Sequence, residues 1–367
     1  MTQAPPSAVP AATDPGLAID PRLATDPGLA IDPAPTADPR PANDPAPTAG
    51  PPGGIRLGIN LWSQATDWPT FVDAATRVDT LGYQHLWTWD HLYAIFGDPL
   101  QPIFEGYTAM AALAALTHRT RLGLMVGANT FRNPGLVVKA ISTIDHISAG
   151  RAILGLGGAW FGAEHTAFGI DFGSGFGQRL DWMEEALGIM SRMLDGEAVT
   201  HAGPTYRTDG VVCAPLPVQA HLPIMVGGSG ERKTLRSVAL HADMWNAMGP
   251  LELMRRKVDV LREHCAAVGR DPSEIEFTLS CKLTIRDTRA AAEQALREKL
   301  AHNKTLAEKV LAEEGITWLG SPPEIAAIIR GYRELGFRTI ISELPAPYDV
   351  ETIERFIGEV KPLVDAG

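Results

Sequence analysis

Cysteine is scarce. The 367 residues hold only Cys213, Cys265 and Cys281, which lie far apart and form no Cys-x-x-Cys pair. An odd, scattered set excludes a disulfide framework and fits a reducing cytoplasm. No run of about 18 apolar residues occurs, which excludes a membrane-spanning helix. The N-terminus has no basic stretch followed by an apolar run, so no secretory signal is legible. The ten histidines form no HxH, HExxH or Cys/His cluster, so no metal signature is present. GxSxG and Walker motifs are missing as well. Positive charge is in deficit. With 32 Lys and Arg against 43 Asp and Glu, the net charge is −11, which argues against a nucleic-acid binder or a polybasic membrane-surface protein.

What remains is ordinary for a globular enzyme: 45% apolar and 20% charged residues. The length suits two to three average domains or one large α/β barrel with insertions. Residues 1–54 stand apart. They hold 14 of the 29 prolines and no aromatic residue, and Asp-Pro recurs every six residues from Asp14-Pro15 to Asp44-Pro45. Proline this dense blocks helices, and the segment has too few large apolar groups to offset its ordering entropy. It reads as a disordered, partly polyproline-like tail, either a spacer or docking arm, or else a tolerated repeat expansion or an overlong gene start. Residues 55–367 form the second division.

That body alternates β-rich runs with helical patterns. Strands are predicted at 55–61, 84–89, 121–126, 151–156, 223–226, 243–247, 275–285 and 338–342. Helices are predicted at 68–81, 105–117, 134–147, 178–194, 231–241, 251–268, 321–335 and 350–364. Eight strand–helix units specify a (β/α)8 TIM barrel, with an open doubly wound sheet as the rival. Segments 160–178, 196–221 and 288–317 exceed plain connections and read as insertions that shape the barrel mouth.

In such a barrel the loops after the strands carry chemistry. Asp90-His91 follows the second strand and suits proton transfer or substrate polarisation. Asn129, Thr130 and Arg132 follow the third; Asn129 and Thr130 suit a polar heterocycle, and Arg132 either holds an anion, pairs with an acid, or with Asn133 fixes the turn into a Pro-capped helix. Gly155-Leu-Gly-Gly follows the fourth and lets a flat ligand or phosphate approach the backbone. Glu164-His165, a little later, reads as a surface pair. Gly227-Gly-Ser-Gly follows the fifth and runs into a helix, the strongest anion-site signal in the chain.

Several strings, in this order and spacing, resemble the bacterial luciferase-like superfamily. They are Leu86-Trp-Thr-Trp-Asp-His91, Thr130-Phe-Arg-Asn-Pro134, Leu154-Gly-Leu-Gly-Gly-Ala-Trp160 through Glu164-His165, and Pro223-Ile-Met-Val-Gly-Gly-Ser-Gly230. Within that superfamily the body resembles the actinobacterial coenzyme F420-dependent oxidoreductases. The resemblance implies a barrel with the deazaflavin across the strand ends and a non-proline cis peptide at Met125–Val126 beneath its ring. By the same resemblance His91 is the catalytic residue. Asp90, Met125, Val126, Asn129, Gly157, Gly158, Gly227, Gly228 and Ser229 bind the cofactor. It further implies a small organic substrate and a homodimer. FMN is the alternative cofactor, with a separate flavin reductase and monooxygenase chemistry; a flavin- or deazaflavin-binding protein without turnover is the non-enzymatic reading. Trp160 stands where the family's sugar-phosphate dehydrogenases carry an acid. That speaks for a more apolar pocket, which Trp62, Trp89 and Phe131 would suit, with residues 92–104 as a partly apolar lid.

Overall fold

A computed structural model describes residues 54–366; the Asp-Pro tail lies outside the described residues. Eight parallel strands close into a barrel: β1 (Arg56–Leu61), β2 (His85–Thr88), β3 (Arg121–Leu124), β4 (Ala152–Gly157), β5 (Ile224–Gly227), β6 (Met244–Ala247), β7 (Glu276–Ile285) and β8 (Phe337–Leu344). Each pairs with its neighbours in chain order, and β8 closes the ring on β1. Strand β7 is long enough to serve two partners on one edge. Its first half pairs with β6, and Lys282–Ile285 pairs with the outer strand Thr317–Gly320. The strand–helix alternation legible in the sequence is therefore the architecture, and the doubly wound rival is excluded by closure.

Local chemistry starts and stops the helices. In the helix Trp68–Leu81, Asp67 accepts from the Thr70 amide at one end, and Gly82 closes the other at φ 85°. Ser321 and Glu324 form a reciprocal capping box on Pro322–Glu334. The last helix departs from the single span 350–364. It runs Val350–Arg355, a π turn Phe356–Val360, then Lys361–Asp365. Pro362 has no N–H to offer the Gly358 carbonyl, so regular i→i−4 pairing cannot continue there.

Two apolar layers hold the barrel. Between strands and helices lies the main core, including Leu57, Ile59, Val138, Ile141, Met190 and Phe337, all fully buried. Inside the barrel Trp87, Met125, Ile153, Met225, Met244 and Ile341 pack on one another. Each such side chain contributes about 1.5–3 kcal/mol of transfer free energy. Glycines make the inner packing possible: a Cβ on Gly123 would fall 2.5 Å from the Trp87 ring, and one on Gly155 would fall 1.9 Å from the Leu124 carbonyl oxygen.

The long connections have structure of their own. Residues 160–178 include the helix Gly162–Phe168, and 196–221 carry a hairpin of Val199–Ala202 with Arg207–Val211. Segment 288–317 folds as helices Arg289–His302 and Ala307–Leu311. Ala292, Leu296 and Leu300 of that segment pack on Trp62 and Trp89. No helix among the described residues is long and apolar enough to cross a membrane.

Candidate active site

A cavity of about 400 Å³ opens at the C-terminal ends of the strands. Its wall includes Asp90, His91, Met125, Val126, Gly157, Gly158, Gly227 and Gly228. Asn129 and Ser229 lie outside that lining. Asn129 is buried and donates from Nδ2 to the Tyr206 hydroxyl at 3.1 Å. Ser229 sits in the loop beyond Gly228, and the helix there begins at Thr234, three residues later than its predicted start.

His91 stands at the end of β2 with Glu164 opposite. His91 Nδ1 and Glu164 Oε1 are 2.9 Å apart. Glu164 Oε2 accepts from the amides of Leu92 and Tyr93 at 2.7 and 3.3 Å. Those two fixed donors make the carboxylate an acceptor, so His91 presents its proton at Nδ1. Nε2 makes no hydrogen bond among the described residues. Trp89 and Trp160 meet the imidazole edge-on, with centroids at 6.2 and 5.6 Å.

Reading Glu164 and His165 as surface residues is wrong, because both are fully buried. His165 donates from Nδ1 to the Phe161 carbonyl at 2.8 Å and accepts at Nε2 from Thr130 Oγ1 at 2.6 Å. It thereby ties the loop after β3 to the loop after β4. The signal for Glu164 was present in the helix Gly162–Phe168, whose first turn carries it. Its partner lies 73 residues away, a separation that no local pattern spans.

Asp90 is engaged on both oxygens. Oδ2 accepts from Ala128 N at 2.9 Å and Arg132 Nη1 at 2.7 Å, and Oδ1 accepts from Arg132 Nη2 at 2.9 Å. Arg132 also reaches Glu105, which caps the helix Gly106–Leu116. Of the roles open to Arg132, the structure supplies the acid pairing. The fork–fork pair pins the backbone just past Met125–Val126, whose peptide is cis.

The cavity wall there is bare backbone. A Cβ on Gly157 would come 2.6 Å from Val126 Cγ2, one on Gly227 2.9 Å from Val126 Cγ1, and one on Gly158 2.8 Å from Leu180 Cδ2. Gly157, Gly158 and Gly227 thus give the cavity a strip of wall beside Val126 with no side chains of its own. Gly228, at φ 119°, is held by Trp245 Nε1 donating to its carbonyl at 2.8 Å. Ile95, Phe96, Trp89 and Trp160 make the opposite side apolar. The lid segment 92–104 contributes Ile95 and Phe96, whose amides donate to Gln64; Phe104 instead packs on Trp68 and Phe71. Phe131 packs on His165 and not in the cavity. Lys282 and Glu343, from inside β7 and β8, complete the floor. Burial pushes the Glu343 carboxyl above its ordinary range, and Lys282 offsets this only in part.

Comparison with known proteins agrees with this architecture. The family described as luciferase-like monooxygenase matches residues 54–339; the chain belongs to that family. An uncharacterized protein of Mycobacterium tuberculosis is 30% identical over 167 residues, 46% of this chain and 58% of the relative. The chain thus spans little more than half the length of that relative. An F420-dependent glucose-6-phosphate dehydrogenase of Kineococcus radiotolerans is 26% identical over 318 residues, 80% of this chain and 92% of the relative. Among solved structures, a coenzyme F420-dependent tetrahydromethanopterin reductase from Methanopyrus kandleri superposes with TM-score 0.70. It is 18% identical, covering 84% of this chain and 99% of that one. The oxygenating constituent of 3,6-diketocamphane monooxygenase from Pseudomonas putida, in complex with FMN, gives TM-score 0.65 at 18% identity. It covers 84% of this chain and 98% of that one. These two share the TIM-barrel fold.

Proposed function

We propose that the chain is an F420-dependent oxidoreductase acting on a small, partly apolar organic substrate. The observation that carries this reading is the His91–Glu164 pair facing the same cavity as the bare strip formed by Val126, Gly157 and Gly227. A strip that rejects side chains leaves a wall against which a flat tricyclic ring fits. Met125, Val126, Gly157 and Gly158 would hold that ring, with Asp90 fixing the wall behind it. Gly227, Gly228 and Ser229 would take the anionic tail. Bound there, F420 supplies two-electron hydride chemistry.

The chain's own residues supply the rest. His91, with its proton on Nδ1, keeps Nε2 open to take or return the substrate's hydroxyl proton. Glu164 stabilises the imidazolium that forms, and its two amide contacts keep it from swinging away. Trp89, Trp160 and Phe161 meet the imidazole edge-on and hold its plane. The named F420-dependent relatives support this cofactor. The FMN-bound neighbour supports a second reading, in which reduced FMN, supplied by a separate reductase, serves oxygen insertion. A homodimer belongs to the proposal, and light scattering checks it.

The two chemistries separate by their need for oxygen. With reduced F420 and a panel of ketones, aldehydes and enones, turnover is expected under strict anaerobiosis, without oxygen uptake when air is admitted. Turnover that requires oxygen and reduced FMN would replace the hydride reading with the monooxygenase one.

A further inference from the structure

The floor of the cavity carries two charged side chains that the His91 chemistry does not use. Lys282 of β7 and Glu343 of β8 sit opposite each other in register. Only 6% of Lys282 and 9% of Glu343 is exposed, yet both line the cavity. Lys282 Nζ pairs with Glu313 and stands 5.1 Å from the centre of the Phe96 ring. The Glu343 carboxyl makes no ion pair among the described residues, and the Trp62 indole is the one side-chain donor directed at it. The buried Trp62 indole N–H faces it without closing a hydrogen bond to it. A carboxyl buried against a cavity with no ion-pair partner is costly to keep, and a ligand group that pairs with it offsets that cost.

We propose that Lys282 and Glu343 together bind an uncharged oxygen group of the substrate, a hydroxyl or a carbonyl, at the end remote from the carbon that reacts beside His91. This rests on the reading of the cavity as a hydride-transfer site. The charge count selects the group. The Lys282 ammonium is already met by Glu313, and Glu343 adds a second acid beside it. A phosphate or carboxylate would therefore find no unpaired cation here. A hydroxyl or carbonyl instead finds N–H donors on Lys282. On Glu343 it finds a carboxyl that accepts from a hydroxyl and that burial shifts toward its uncharged form. Between this pair and His91 runs an aromatic wall, with Trp89 in ring contact with both His91 and Phe96. That wall suits a flat or cyclic apolar body.

Three ligands with one ring and one ketone isolate the remote group: 4-hydroxycyclohexanone, 4-oxocyclohexanecarboxylate and cyclohexanone. Their affinities are measured by calorimetry on the full chain, with F420 bound and again without cofactor. The hydroxyketone is expected to bind at least about ten-fold more tightly than either of the others. Glu343→Ala is expected to erase its advantage over cyclohexanone. Glu343→Gln, which keeps the shape and both polar atoms, retains most of it. Lys282→Met, which fills the space of the stem, is expected to weaken the hydroxyketone as well. F420 affinity stays unchanged in all three variants. Tighter binding of the carboxylate, equal binding of hydroxyketone and cyclohexanone, no saturable binding of the hydroxyketone, or an undiminished advantage in Glu343→Ala each overturns the proposal. Failure of F420 to bind would overturn the cofactor reading alone, since the order of the ligands is read on the cofactor-free chain as well.

Discussion

Replacing His91 with Ala is expected to lower turnover about 100- to 10,000-fold, the range that a positioned acid or base supplies, while F420 affinity changes little. The side chain lines the cavity, but the bare strip proposed to carry the ring is built from Met125–Val126 and glycine backbone. Its loss therefore removes the proton path and leaves the cofactor's bed intact. His91→Asn gives the sharper control. It keeps a hydrogen-bonding amide within reach of Glu164 but offers no nitrogen that takes up a proton, so it should be nearly as slow as Ala. Steady-state kinetics paired with a cofactor titration separate the two effects. Equal turnover in His91→Asn would remove His91 from the mechanism. A parallel collapse of cofactor affinity would make it a binding residue instead.

The second large effect falls on stability. Asp90→Ala is expected to cost about 3–5 kcal/mol, because it leaves the Arg132 guanidinium without its buried partner, and to lower the melting midpoint by roughly 5–8 °C. The Asp90 side chain is wholly buried, and that of Arg132 is 16% exposed. The same carboxylate accepts from Ala128 N, which lines the cavity beside Val126 and Gly127, so cofactor affinity is expected to fall along with the midpoint. Asp90→Asn preserves the volume and one acceptor oxygen and should lose less of both. Calorimetric melting and the same titration provide the check. A midpoint within a degree or two of the parent would mean that Arg132 finds enough support in Glu105 alone.

These effects also mark what the sequence could and could not reveal. The barrel was legible because eight short β-rich runs alternate with helices whose ends carry strong punctuation, such as Asp67 before and Gly82 after Trp68–Leu81. Asp90 and His91 were legible because chemistry in this architecture gathers on the loops after strands. Glu164 was not, because its role depends on a contact across two strand–helix units and on two amides that belong to Leu92 and Tyr93. Lys282 and Glu343 were invisible for another reason. They lie within long, largely buried strands that mix apolar residues with small polar ones, and only barrel closure turns them toward the mouth. The aromatic residues sorted by geometry alone. Trp89 lines the cavity, Trp62 packs behind it, and Phe131 turns away to His165.

The claim that the bare strip and the His91–Glu164 pair serve a deazaflavin is tested most directly by titrating the purified protein with F420 and with FMN side by side, following intrinsic fluorescence. Eight tryptophans are present, and Trp89 and Trp160 line the cavity, so a ring bound there quenches them. The account predicts micromolar or tighter binding of F420 and much weaker binding of FMN. The reverse order would contradict it and make the cavity the site of an oxygen-using flavin enzyme.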